Sequence, residues 1–102
     1  MDDAALDRAT DIFRALSNPL RVGIIRELSG GDRAVHELVT ALDIAQPRVS
    51  EHLAVLRAAR LVEAERHGRS VSYRLVDRHV AHIVDDAVIH AGEIVGSADT
   101  GP

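Results

Sequence analysis

The chain has 102 residues, 46% of them hydrophobic, and a formal net charge of −4; it is one small domain whose modest core would gain from burial against a second copy. It has no cysteine, which excludes a disulfide framework, thiolate metal sites and cysteine nucleophiles, so any metal must be held by imidazole and carboxylate. No run of about 18 apolar residues occurs and the amino terminus is acidic (Asp2, Asp3, Asp7) where a signal peptide would be basic, so a cytoplasmic protein with no membrane partner is expected.

With one Phe, one Tyr and no Trp, the composition favours helices over a β-sandwich. Residues 5–16 place Leu6, Ala9, Ile12, Phe13 and Leu16 at helical spacing. Ser17, Asn18 and Pro19 end that helix and start a second, with Pro19 in its first turn and Leu20, Ile24, Ile25 and Leu28 as its apolar stripe up to Gly30 and Gly31. A third helix is expected over 35–42, capped by Asp32 or a nearby residue and closed by the turn Asp43, Ile44, Ala45. A fourth runs from Gln46 to about Ala59, turning Val49, Leu53 and Leu56 inward and Arg48, Ser50, Glu51, His52 and Arg57 to other faces. The period then changes to two: residues 61–66 and 70–75 alternate as strands around a turn at His67, Gly68 and Arg69. Asp77 is placed to cap a final helix reaching about Val95, whose apolar surface is wide enough to face both its own core and a partner. The domain therefore spans 1–95, and the small, polar tail 96–102 is expected to be disordered.

Two short helices joined by a three-residue turn and followed by a basic hairpin make a winged helix-turn-helix, a mainly α fold with a β-hairpin wing. The segment 46–74 carries Arg48, Arg57, Arg60, Arg66, Arg69 and Arg74 against Glu51, Glu63 and Glu65, so it is locally basic in an acidic chain. A helix fits the major groove of duplex DNA while wing-tip arginines reach phosphates or the minor groove. Arg48, Ser50 and His52 are the candidates for base-edge or nearby phosphate contacts, and Arg66 and Arg69 for the wing.

The last helix carries Asp77, His79, His90 and Glu93, spaced D-x-H, ten residues, H-x-x-E. His79 and His90 share a face but stand about 16 Å apart along the axis at 1.5 Å per residue, too far to share one ion. His90 and Glu93, at i and i+3, can converge. A second copy packed antiparallel across a two-fold axis would set Asp77 and His79 of one chain beside His90 and Glu93 of the other, so the spacing predicts both a metal and a homodimer through the terminal helices. His82 and Asp86 follow His79 at i+3 and i+7 and could add ligands or support them. An enzyme is not expected: all four positions are filled by protein, and His36 begins HELVT, which lacks the second histidine of HExxH.

Over residues 5–95 the chain resembles the ArsR/SmtB family of metal-responsive repressors. FRALSNPLRVGIIREL, VHELVTALDIAQPRVSEHLAVLRAARLV and ERHGRSVSYRL carry the family likeness, and DRHVAHIVDDAVIHAGE that of its zinc sensors with sites on the C-terminal helix. The resemblance implies a dimer that binds operator DNA when metal-free and releases it on metal binding at paired intersubunit sites. It also implies a relay from a ligating histidine, here His90, to a glutamine opening the recognition helix, here Gln46. The family's cysteine-rich site on the third helix is replaced by Arg33, Ala34 and Val35, which argues against arsenic, cadmium or lead. Two imidazoles and two carboxylates suit Zn(II). Ni(II) or Co(II), drawing extra ligands from His82 or Asp86, and a winged-helix regulator that senses no metal are the alternatives.

Overall fold

A computed structural model describes residues 2–99. Helix α1 (Asp3–Leu16) starts at Asp2, whose carboxylate accepts the Ala5 N–H at 2.7 Å. Asn18 caps α2 (Pro19–Ser29) by accepting the N–H groups of Leu20 and Arg21 at 2.9 and 3.2 Å, and Pro19 takes the first helical position, where its missing N–H leaves no bond unmade. Asn18→Ala is expected to cost about 1 kcal/mol, lowering the thermal midpoint by about 4–8 °C for a domain of this size. An unchanged midpoint would mean that water caps α2 equally well.

Helix α3 (Val35–Leu42) follows a two-residue strand, β1 (Arg33–Ala34), and α4 (Gln46–Ala58) follows a three-residue turn. Strands β2 (Val62–His67) and β3 (Ser70–Leu75) form the wing, and α5 (Arg78–Asp99) closes the chain. The core joins Ile24, Ile25 and Leu28 of α2 to Leu38 of α3, Val49, Leu53 and Leu56 of α4, Leu61 and Val62 at the wing's base, and Val80 and Val84 of α5. No described helix is long and apolar enough to cross a membrane.

The structure refines two expectations and corrects one, the end of α5. The wing is a three-stranded antiparallel sheet, order β1-β3-β2, because Arg33 and Ala34 pair with Tyr73 and Ser72. Of the expected caps for α3, Asp32 or a nearby residue, it is the neighbour Ala34 that holds the position, and its N–H is accepted by the Glu37 carboxylate at 2.9 Å, one half of a capping box. Helix α5 continues to Asp99, past the expected end near Val95. Gly96 is not among the residues with positive φ, so it does not close the helix in the left-handed conformation that ends many helices. The tail beyond residue 99 lies outside the described residues.

Candidate DNA interface and metal ligands

The turn before α4 depends on Asp43, which sits in the left-handed region (φ +53) that short polar side chains tolerate. Ile44 packs against the core, and the Ala45 carbonyl accepts the N–H groups of Arg48 and Val49. With Val49, Leu53 and Leu56 buried, Gln46, Arg48 and Ser50 are left exposed and His52 half-buried. The helix ends in a Schellman motif: the N–H of Arg60 (φ +61) reaches the Arg57 carbonyl, and that of Leu61 the Leu56 carbonyl, while Leu56 and Leu61 are both buried.

The wing sorts its charges by strand alternation. Val62, Ala64 and Arg66 stand opposite Leu75, Tyr73 and Val71 on one face; Glu63, Glu65 and His67 stand opposite Arg74, Ser72 and Ser70 on the other. Arg74 donates to Glu63 and to Glu65, each at 2.8 Å, so it is neutralised. The His67 ring lies 3.9 Å from Glu65, on that acidic face. Arg48, Arg66 and Arg69 form no ion pair among the described residues, so their charge is not neutralised as that of Arg74 is. Gly68 (φ +62) and Arg69 make a two-residue turn of the II′ pattern rather than the three-residue turn expected from the sequence.

Asp77 has a structural duty as well as donor atoms. Its Oδ1 accepts the N–H groups of His79 and Val80 at 2.9 and 3.3 Å, capping α5, which leaves Oδ2 without a hydrogen bond. The His79 Nδ1 is 3.5 Å from Asp77 Oδ1 and the side chain is 88% exposed. His82, Asp86, His90 and Glu93 continue from His79 at three- and four-residue intervals, all exposed, as one strip opposite the buried Val80 and Val84. Asp77 and His79 are thus brought together, while His90 and Glu93 lie further along the same helix. No three His, Asp or Glu side chains gather to hold a metal within the described residues of one chain. Nor does a hydrogen bond join Gln46 to His90 among them.

Beside this strip the terminal helices carry unburied apolar surface. Phe13, Leu16, Val22, Ile83, Ala87 and Val88 line an α1–α5 groove of about 340 Å³, with Phe13 62% and Ile94 58% exposed. Contiguous apolar surface of this kind marks an interaction face.

A model of the bacterial regulatory protein arsR family matches residues 18–64. The HTH-type transcriptional repressor SmtB of Mycobacterium tuberculosis is 56% identical over 88 residues, 86% of this chain, and the match spans 65% of that relative's length. The HTH-type transcriptional regulator NmtR of Mycobacterium tuberculosis is 36% identical over 103 residues, covering 100% of this chain and 86% of its own. Among solved structures, a homodimeric winged helix-turn-helix DNA-binding domain from Mycobacterium bovis is similar with a TM-score of 0.80 at 32% identity, covering 91% of this chain and 89% of that one.

Proposed function

The chain belongs to the ArsR family of bacterial regulatory proteins, and from that premise we propose that it is a metal-sensing transcriptional repressor, a homodimer that holds operator DNA until zinc binds. The observation that carries the reading is the exposed strip on α5, which sets Asp77 with His79 at one end and His90 with Glu93 at the other, next to an uncovered apolar groove. A second copy seated on that groove would bury Phe13 and Ile83 and bring opposite ends of two strips together across a two-fold axis.

Asp77 and His79 of one copy and His90 and Glu93 of the other would then hold a divalent cation. The donor chemistry fits: exposed imidazoles and carboxylates of borderline and hard character, with Asp77 Oδ2 free of its capping duty. Four such donors suit the tetrahedral preference of zinc. Bound there, the cation supplies a link between chains and relieves repulsion among the carboxylates of the two helices. Val80 and Val84 pack α5 into the same core as Val49 and Leu53 of α4, so a shift of α5 in the dimer is felt at the recognition helix. Release then requires only that the DNA-bound and metal-bound arrangements differ, since a ligand with equal affinity for both shifts nothing. Gln46, exposed at the start of α4, is the proposed receiver of a relay from His90.

On the DNA side, Gln46, Arg48, Ser50 and His52 face the major groove and Arg66 and Arg69 the flanking phosphates or minor groove. The test is a titration of zinc, then nickel and cobalt, into the metal-free dimer on a fluorescent duplex of the promoter beside its own gene, followed by anisotropy. Zinc is expected to release the DNA. Stronger release by nickel or cobalt would move the assignment to those metals, with His82 or Asp86 completing a larger ligand set. DNA that stays bound in every metal would overturn the sensing assignment and leave a winged-helix regulator of another signal.

A further inference from the structure

Arg21, in the first turn of α2, joins three helices. Its N–H is capped by Asn18, its Nε donates to the Ala15 carbonyl in the last turn of α1 at 2.5 Å, and its Nη1 lies 3.3 Å from Nδ1 of His52 on α4. The α1 contact adds to that helix's C-terminal capping: Ser17 N–H serves the Arg14 carbonyl, Arg21 that of Ala15, and Asn18 N–H that of Leu16, three of the four carbonyls left open at a helix end. A guanidinium at this end is also favoured by the helix dipole. Phe13 and Leu16, in the same turn of α1, line the apolar groove, so one side chain ties the proposed dimer face to the proposed recognition helix.

The chemistry of the Arg21–His52 pair is one-sided. A guanidinium has donors and no acceptor, so the His52 Nδ1 that faces it must present its lone pair, and the ring's proton must sit on Nε2. The surroundings agree. Burial, then Arg21, then Arg48 lower the His52 pKa, with only Glu51 pulling the other way, so the ring is neutral near pH 7. The residue is only partly buried on α4, one turn after Arg48 on the same face, and no hydrogen bond to Nε2 occurs among the described residues.

We infer that Arg21 is a positioning residue for DNA recognition: it clasps the end of α1 to α4 and holds His52 as the neutral Nε2–H tautomer, so that His52 meets the duplex as a hydrogen-bond donor. This rests on the DNA-binding reading above. The partner is an acceptor on DNA, either a major-groove base atom such as a purine N7 or a phosphate oxygen. The groups that face His52 are Arg21 from α2 and Arg48 and Glu51 from α4 itself. Acid adds a proton at Nδ1, which breaks the Arg21 contact and places a second cation beside two arginines. Because the folded chain takes up this proton less readily than the unfolded one, stability falls as pH drops from about 6.5 toward the lowered value and levels off below it.

The experiment combines ¹⁵N spectra of the histidine rings with DNA affinity in the intact dimer. Wild-type His52 is expected to show the Nε2–H pattern at pH 7.5 and to titrate below the ordinary histidine range; Arg21→Met should mix the tautomers, raise the midpoint and weaken binding about tenfold, the scale of one good hydrogen bond. Should Arg21→Met not fold, two changes at the half-exposed His52 decide. His52→Gln, whose amide both accepts from Arg21 and donates to DNA, should bind within about threefold of wild type, and His52→Leu should lose about tenfold. The operator partner is then the one whose alteration, 7-deazapurine for a base or methylphosphonate for a phosphate, weakens wild type and leaves His52→Leu unaffected. An Nδ1–H tautomer in wild type, or full affinity in His52→Leu, overturns the proposal. A wild type with the Nε2–H tautomer that binds no duplex would instead remove the DNA-binding reading, and the role of the clasp in recognition with it.

Discussion

His90→Ala is expected to bind the promoter duplex as tightly as wild type and to stay bound when zinc is added. In wild type, zinc should weaken DNA binding by about 5–150-fold, the usual range of a coupling free energy between two sites; in the variant the ratio of affinities with and without zinc should stay near one. His90 is the cleanest of the four proposed ligands to change, because it is exposed in the middle of α5 and makes no hydrogen bond or ion pair among the described residues. Asp77 is the least clean: it also caps α5 through His79 and Val80, so Asp77→Ala would lose about 1 kcal/mol of stability together with any ligand role. Glu93→Gln and His79→Ala should behave as His90→Ala does. If zinc still releases DNA from His90→Ala, the pairing of opposite helix ends across the dimer is wrong.

Leu53→Ala is expected to destabilise the domain by about 2–5 kcal/mol, a large share of the roughly 5–15 kcal/mol available to a domain of this kind. Leu53 is 1% exposed and packs among Ile24, Ile25, Val49 and Leu56, so truncation leaves a cavity between α2 and α4 rather than a surface that water fills. Urea denaturation would read the loss as a lower midpoint at unchanged slope. Arg48→Ala, one face round the same helix and exposed, should shift stability by no more than about 0.5 kcal/mol. It should instead weaken DNA binding and, if it neutralises a phosphate, reduce the salt dependence by about one counterion. A loss under about 1 kcal/mol for Leu53→Ala would show that α4 closes over the gap. The recognition helix would then be held mainly by its Schellman end and by Ile44.

The helices, the wing and the inward residues of α4 were all legible along the chain, because burial on one side of a helix or strand writes a period of 3.6 or 2 into the sequence. So were the stops: Asn18 with Pro19, and Gly68 in the wing turn. The spacing of Asp77, His79, His90 and Glu93 was legible for the same reason, since residue separation along a straight helix is a distance. What the chain's order did not disclose was decided by contacts between elements. β1 is two residues long and has no period to read; it exists because β3 offers an open edge. Arg74 counted toward a basic segment until the register set Glu63 across from it and Glu65 alongside. Arg60 adopts a positive φ because Leu56 and Leu61 are both buried, although nothing in its own identity favours that conformation. Arg21 and His52 are separated by 31 positions and belong to different helices, so only the packing of α2 on α4 joins them. Periodicity records which side of each element avoids water; it carries no record of which polar atoms meet once those sides are packed together, and that pairing is where this protein's charge pattern and the Arg21 clasp arise.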